Sequence, residues 1–436
     1  MKAYHLKPSR RIMLHTSNTS PYSRLNGDVL REIFMYCIIR DPYDYPDTNI
    51  STSFVFAGAY KPSIRKRPQS SLSQVCSSWR AIALRTPQLW DNICIVNLTE
   101  ASLSTAREYL SRTRNLPISI TIRQCTTGQS GLDWRSQLTD FLSSSYRIRT
   151  LDLGVSSGFH HVLPDLPQLE SLLIHSHPSQ EKVQIDLNDT RYPKLAVVCI
   201  GGAYKISSFN SRSLRIFDGT KLSMTVIESW DLLTCCPSLE ESRLNITQVN
   251  GSRRPVSMPQ IHLQRLRILC LRSESDISFS TFIEVLTLPV VEQLHVVHAW
   301  SAIAFQSLAH RSNYFAHLRN FVLRTSTSVV DAGALLASIP WITNISLPDL
   351  DFTHLALNGL ARGSLAPRLQ TLTAGSISNT ELFLDMVESR MENAQMSSNG
   401  VPAPFTKVVF DADDDACYSD RLRDMQQRGI PIKAES

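Results

Sequence analysis

Residues 266–271 read LRILCL, with leucines at 266, 269 and 271. A spacing of three and then two residues suits a chain that turns into a short strand. Alternate side chains of a strand face opposite sides, so Leu269 and Leu271 point one way and Cys270 the other. The same spacing returns at Ile148-Leu151-Leu153, Leu169-Leu172-Ile174, Leu195-Val198-Ile200, Leu239-Ser242-Leu244, Val291-Leu294-Val296, Leu318-Phe321-Leu323 and Ile342-Ile345-Leu347. Partial copies start at Leu214, Leu369 and Phe405, and successive starts lie 21, 26, 19, 25, 27, 25, 27, 24, 27 and 36 residues apart. A unit this short cannot enclose a core alone, so each must stack its inward residues on the next.

This signature resembles that of leucine-rich repeats. The expected fold class is therefore α/β: an irregular solenoid with parallel strands over residues 96–436, each strand followed by a return segment. STFIEVLTLP (280–289) and AGALLASIP (332–340) read as helical returns that end at proline. Ile118, Ile120 and Ile122 alternate in LPISITIRQC, a strand signal. KVVFD and then SDRLRDMQQRGIPIK read as strand, helix with Gly429 past its end, and closing strand, a C-terminal cap. Ser242 at an inward position, and the lack of the consensus Asn in most units, leave a plain α/β domain with parallel strands as the alternative.

The composition bounds the function. Of 436 residues, 42% are hydrophobic and 19% charged, enough apolar material for a real core. A net charge of +5 is small for a nucleic-acid binder of this length. The nine cysteines form no CxxC, and their scatter argues against a disulfide framework. The start, MKAYHLKPSRRIMLHTSNTS, has no apolar core and is expected to be a disordered leader over residues 1–21, with a mitochondrial presequence as the alternative. No run of eighteen apolar residues occurs. A cytoplasmic or nuclear protein with no membrane partner is expected.

Ahead of the repeats, SRLNGDVLREIFMYCII places Leu25, Val29, Leu30, Ile33, Phe34, Cys37 and Ile38 on one helical stripe, with Asn26 as N-cap. Residues 41–70 hold four prolines and read as a loop. Its basic run Ile64-Arg65-Lys66-Arg67 reads as a solvated loop or an import signal. SLSQVCSSWRAIALRTPQLW (71–90) then marks another helical face at Leu72, Val75, Cys76, Trp79, Ile82 and Ala83, capped at Ser71. Thr86-Pro87 starts a third, short helix carrying Leu89, Trp90 and Ile93. Three helices of this size enclose little core, so part of their apolar surface should be covered by something else.

These residues, over about 22–95, resemble an F-box in the form abundant in mushroom-forming fungi. Leu25, Val29, Leu30, Ile33 and Phe34 match the first helix, with Asn26 where Pro is typical and Asp28 where Glu is. Leu72, Val75, Cys76, Trp79, Arg80, Ala83, Thr86, Pro87, Leu89 and Trp90 match the second part. The resemblance implies a Skp-type adaptor and a cullin scaffold as partners. It implies an adaptor-binding set of Leu25, Val29, Leu30, Ile33, Phe34, Leu72, Val75, Trp79, Leu89 and Trp90. In the free chain Leu25, Val29, Leu30 and Ile33 are expected to be partly exposed. The alternatives are a helical cap on the following domain, or a repeat scaffold outside any ligase.

The tools of an enzyme are missing: no GxSxG, P-loop, HExxH or GxGxxG occurs. The chain is expected to be neither an enzyme nor a cofactor or metal binder. His175 and His177, and the acidic run Asp411, Asp413, Asp414 and Asp415, read as surface groups. Residues between the core positions of each strand should form a concave binding face. They are Leu173, Cys199, Arg243, Cys270, His295, Val322 and Ser346, with His175, Asn245, Arg272, Val297 and Arg324 one position beyond the last core residue. The early units look apolar there and the later ones basic. Arg243, Arg272, His295 and Arg324 are the expected target-binding residues, suited to acidic or phosphorylated side chains.

Overall fold

The computed structural model describes residues 26–37, 68–96, 98–123, 134–155, 163–176, 183–202, 204–247, 258–324, 330–347, 350–377, 379–397, 399–411 and 415–435. The expected leader, Leu25, the loop up to residue 67 with its basic run, His177, Asp413 and Asp414 lie outside them. The chain divides into two compact units. The first takes in Met1–Asn92 and Glu108–Leu116, the second Ile93–Arg107 and Pro117–Ser436.

The first unit contains α1 (Gly27–Cys37), α2 (Pro68–Val75), α3 (Ser77–Leu84) and a short 3-10 turn at Pro87–Leu89. Asn26 caps α1 as expected, its Oδ1 accepting from the Asp28 amide at 3.3 Å. The single helix expected from Ser71 is instead two. The chain breaks at Cys76, whose extended backbone ends α2 and whose sulfur caps α3 by accepting from the Trp79 amide at 3.4 Å. The break turns α3 so that Ala83 is buried. Trp79 stacks on Phe34, ring centres 4.9 Å apart. Trp90 is buried, its Nε1 donating to the Ala83 carbonyl at 3.0 Å and its ring 4.9 Å from Tyr109. Thr86 makes no side-chain cap; its hydroxyl donates back to the Ile82 carbonyl at 2.8 Å.

The second unit runs through β1 (Asn92–Val96), α4 (Glu100–Arg112, whose end belongs to the first unit), β2 (Ile118–Arg123), α5 (Trp134–Ser143), β3 (Ile148–Val155), β4 (Ser171–Ser176), β5 (Val183–Asn188), β6 (Val197–Gly201), β7 (Tyr204–Asn210) and β8 (Ile216–Met224). It continues with α6 (Val226–Cys235), β9 (Glu241–Ile246), β10 (Ile261–His262), β11 (Ile268–Ser273), α7 (Asp276–Glu284), β12 (Leu286–Thr287), β13 (Gln293–His298), α8 (Ala302–Arg311) and β14 (Asn320–Arg324). Then come β15 (Val330–Asp331), α9 (Ala332–Ser338), β16 (Asn344–Leu347), β17 (Leu350–Asp351), α10 (His354–Arg362), β18 (Thr371–Ser376), α11 (Thr380–Met396), β19 (Lys407–Asp411), α12 (Asp415–Gln427) and β20 (Ile432–Glu435). One sheet of 14 strands takes them in the order β1-β2-β3-β4-β6-β8-β9-β11-β13-β14-β16-β18-β19-β20. The pairings along it from β2 to β20 are parallel. This is a mixed α/β repeat array built on one large parallel sheet.

The repeated triplets build its core. Each of Leu266, Leu269 and Leu271, and their counterparts in every full copy, is buried. The partial copy at Leu214 supplies Phe217 and, at its third position, Gly219. The Phe217 ring fills that place: a Cβ on Gly219 would lie 2.8 Å from it. Ser242 is buried at its inward position, its hydroxyl without a hydrogen-bond partner. The return helices α6 to α11 start alike. Thr225, Ser275, Ser301, Asp331, Thr353 and Asn379 each accept the amide three residues on, which satisfies the first-turn donors. Earlier, a second ladder of β5 and β7 takes the return side instead of a helix.

Where the chain enters each strand, one rim position repeats. It is occupied by Arg215, Glu240, Arg267, Glu292 and Arg319, each after Arg215 donating its amide to the preceding one's carbonyl at 2.8–2.9 Å. The signs alternate. Arg215 pairs with Glu240 at 2.8 Å and Arg267 with Glu292 at 3.9 Å, as Arg149 does with Glu170 at 2.5 Å earlier. The hydrogen bond from Arg215, helped by Arg267, holds the Glu240 carboxyl below the usual range.

Candidate functional site

Two surfaces carry the expected binding residues. On the first unit, α1 is apolar on two adjoining faces. Leu30 and Phe34 point into the unit and are buried. Val29 and Ile33, one turn apart, are 46% and 39% exposed, and Tyr36 continues their stripe at 85%. Val75 on α2 is 60% exposed, whereas Leu72, Leu89 and Trp90 are buried and Trp79 is half-buried. The expectation that Leu30 stays exposed is therefore corrected: it faces the same side as Phe34 and fills the space between the helices.

The second surface is the face of the large sheet opposite the helices. Strand register aligns Asp152, Leu173, Cys199, Asp218, Arg243, Cys270, His295 and Val322 in one row. A neighbouring row holds Asn245, Arg272, Val297 and Arg324. The structure thus brings Arg243, Arg272, His295 and Arg324 onto adjoining strands, as their spacing predicts. The early strands are not apolar, however. Arg123 and Asp152 form a two-pronged pair at 2.7 and 2.5 Å. Gly154 makes room for it, since a Cβ there would lie 2.7 Å from Arg123 Cδ. Lys221 adds a second cation nearby, aligned with Gly201.

Asp218 is the residue that the spacing argument missed. It stands between Cys199 and Arg243 because the partial copy at Leu214 is a full strand of the sheet. The position between Phe217 and Gly219 was the available signal. Arg243 binds Glu241 at 2.7 Å. Burial opposes its charge, yet the Glu241 and Asp218 carboxylates hold the guanidinium above its ordinary range. It is therefore an internally balanced cation. Arg272 and Arg324 are exposed.

His295 is half-buried, and burial followed by the charges of Arg243 and Arg324 lowers its pKa to about 4. Burial likewise raises the Cys270 thiol to about 11. The two are register neighbours, but a protonated thiol beside a neutral imidazole is the reverse of a nucleophilic pair. Neutral His295 presents one hydrogen-bond donor and one acceptor on this face. Among the described residues no three His, Cys, Asp or Glu side chains gather as a metal site would require. No described helix is long and apolar enough to cross a membrane.

No family model matches the chain, and no curated protein does. Among solved structures, a chain in the crystal structure of a TLR13–ssRNA13 complex is 13% identical, with 80% of this chain and 62% of that chain covered and a TM-score of 0.35. This chain spans about three fifths of that one's length.

Proposed function

We propose that the chain is the substrate-recruiting F-box subunit of an SCF-type cullin–RING ubiquitin ligase. Its first unit holds a Skp-type adaptor and its repeats hold a protein target. The chain itself catalyses nothing; it raises the effective concentration of target near the conjugating machinery. The observation that carries the reading is the exposed stripe Val29-Ile33-Tyr36 on a helix whose other apolar face is already packed. A small helical unit that leaves such a stripe bare has a partner to cover it. The residues around it are those of the F-box resemblance. A repeat scaffold that works without a ligase is the other outcome of the test.

The test uses exposed positions, so that folding is spared. Val29→Asp with Ile33→Asp should abolish capture of the purified Skp-type adaptor. Burying one unpaired charge at an interface costs several kcal/mol. The melting temperature should stay unchanged. Adaptor capture at the wild-type level would leave the scaffold reading.

A further inference from the structure

The alternating rim described above stops after Arg319, where Thr343 and Gln370 take the next two positions. From residue 302 to 370 the sequence holds five arginines and three histidines but only three acids: Asp331, Asp349 and Asp351. Asp331 caps the start of α9, and Asp351 aligns with Asp331. Both therefore sit where strands leave the sheet, at the opposite rim from the one where they enter. At the entry rim three units in register place His317, Trp341 and Arg368 immediately before the first core residue. Arg319, Thr343 and Gln370 follow that residue, linked by amide-to-carbonyl bonds. No ion pair to a described carboxylate joins Arg319 or Arg368.

Two aromatic rings stand on this rim. Trp341 is 42% exposed, with the Arg368 guanidinium 5.0 Å from its centre. Tyr314 is 47% exposed, edge-on to His310 at 6.0 Å. Asn313, Tyr314 and Phe315 all have left-handed backbones, with φ of 53°, 50° and 50°. Such a run of non-glycine residues is strained. It puts Phe315 in the core and turns Tyr314 out.

We propose that Tyr314, His317, Arg319, Trp341 and Arg368 form a docking surface for a partner protein segment that carries carboxylates on either side of a bulky apolar side chain. Trp, Tyr and Arg are the residues that dominate binding energy at protein interfaces. Arginines with no ion pair to a described carboxylate, beside exposed rings, call for acids flanking an apolar anchor. The rim spans three units at about 4.8 Å each, the reach of a few extended residues. A nucleic acid fits less well, because few cations are present to replace its counterions. This surface lies apart from the Arg272 and Arg324 face and does not rest on the ligase reading.

The test is a peptide array on the full chain, with the central residue varied over all types and the flanks over Asp/Glu, Ser or Lys. Oligothymidylate is measured alongside by fluorescence anisotropy. Acid-flanked peptides with Leu, Phe, Tyr or Trp at the centre should bind best. Trp341→Ala, and separately Arg319→Glu with Arg368→Glu, should each weaken them about tenfold or more. Trp341→Phe should retain binding, and melting temperatures should not change. Equal binding of Lys-flanked peptides, tighter binding of oligothymidylate, no binding at all, or binding indifferent to these variants would each overturn the proposal.

Discussion

His295 is held neutral by its surroundings, and this has a measurable sign. An unfolded imidazole takes up its proton near pH 6.5, whereas the folded one does so at about 4. Between these values the unfolded chain binds more protons, so stability falls as pH drops from about 6.5 to about 4 and is insensitive to this group above that window. The imidazole signals of His295 should stay flat from pH 8 to 5.5 in an NMR titration. In His295→Asn the acid-side loss of melting temperature should shrink. A His295 midpoint near 6.5 would remove the argument. His175 adds to the same trend, since burial also lowers it, assisted by Arg123 and Lys221 against Asp152. Only the placement of these groups was legible in the sequence. Spacing puts His295, Arg243 and Arg324 on neighbouring strands of the open face, but the burial that lowers the imidazole comes only from the fold.

At the scale of elements, one buried arginine ties the end of the solenoid together. Arg390 on α11 is fully buried and donates to the carbonyls of Leu360, Ala366, Pro367, Leu369 and Ala403 at 2.6–3.2 Å. It also lies over the Phe405 ring. Burial lowers its pKa to about 10, so it remains charged at neutral pH. Arg390→Met deletes these five hydrogen bonds, although the carbonyls of Leu360, Ala366 and Pro367 keep the amides of Gly363, Leu369 and Ala403, and should cost about 3 kcal/mol or more, read as a lower melting temperature. Arg390→Lys should recover little, because a compact ammonium cannot match the spread of a guanidinium fork. A change of less than 1 kcal/mol in Arg390→Met would show the tie to be dispensable. The triplet strands and the closing strand–helix–strand were legible, since buried leucines and Gly429 announce them. The break at Cys76 was not, because its apolar spacing continues smoothly from α2 into α3. The β5–β7 ladder was missed as well: its short return stretch carries no helical period to read against.

For the molecule as a whole, the proposal assigns two duties to two units, and these should be separable. Arg272→Glu with Arg324→Glu reverses two exposed charges on the open face. It should lose captured targets while adaptor capture by the first unit continues unchanged. Targets retained at the wild-type level would move recognition off this face. The repeat was readable because it rests on local apolar spacing. The charge pattern of the open face was only half readable. Arg272 and Arg324 lie on regular copies, but Asp218 lies on a copy whose third core residue is glycine.

The rim ladder of Arg215, Glu240, Arg267, Glu292 and Arg319 has a consequence for how such a chain changes length. Removing a single unit sets like charges side by side, as when the loss of the Glu240 unit brings Arg215 against Arg267. Removing two consecutive units restores the alternation. The same holds for insertions. The ladder therefore imposes a parity on this stretch: duplication or loss by even numbers keeps the signs alternating, whereas an odd change leaves a repulsive seam that a further substitution must mend.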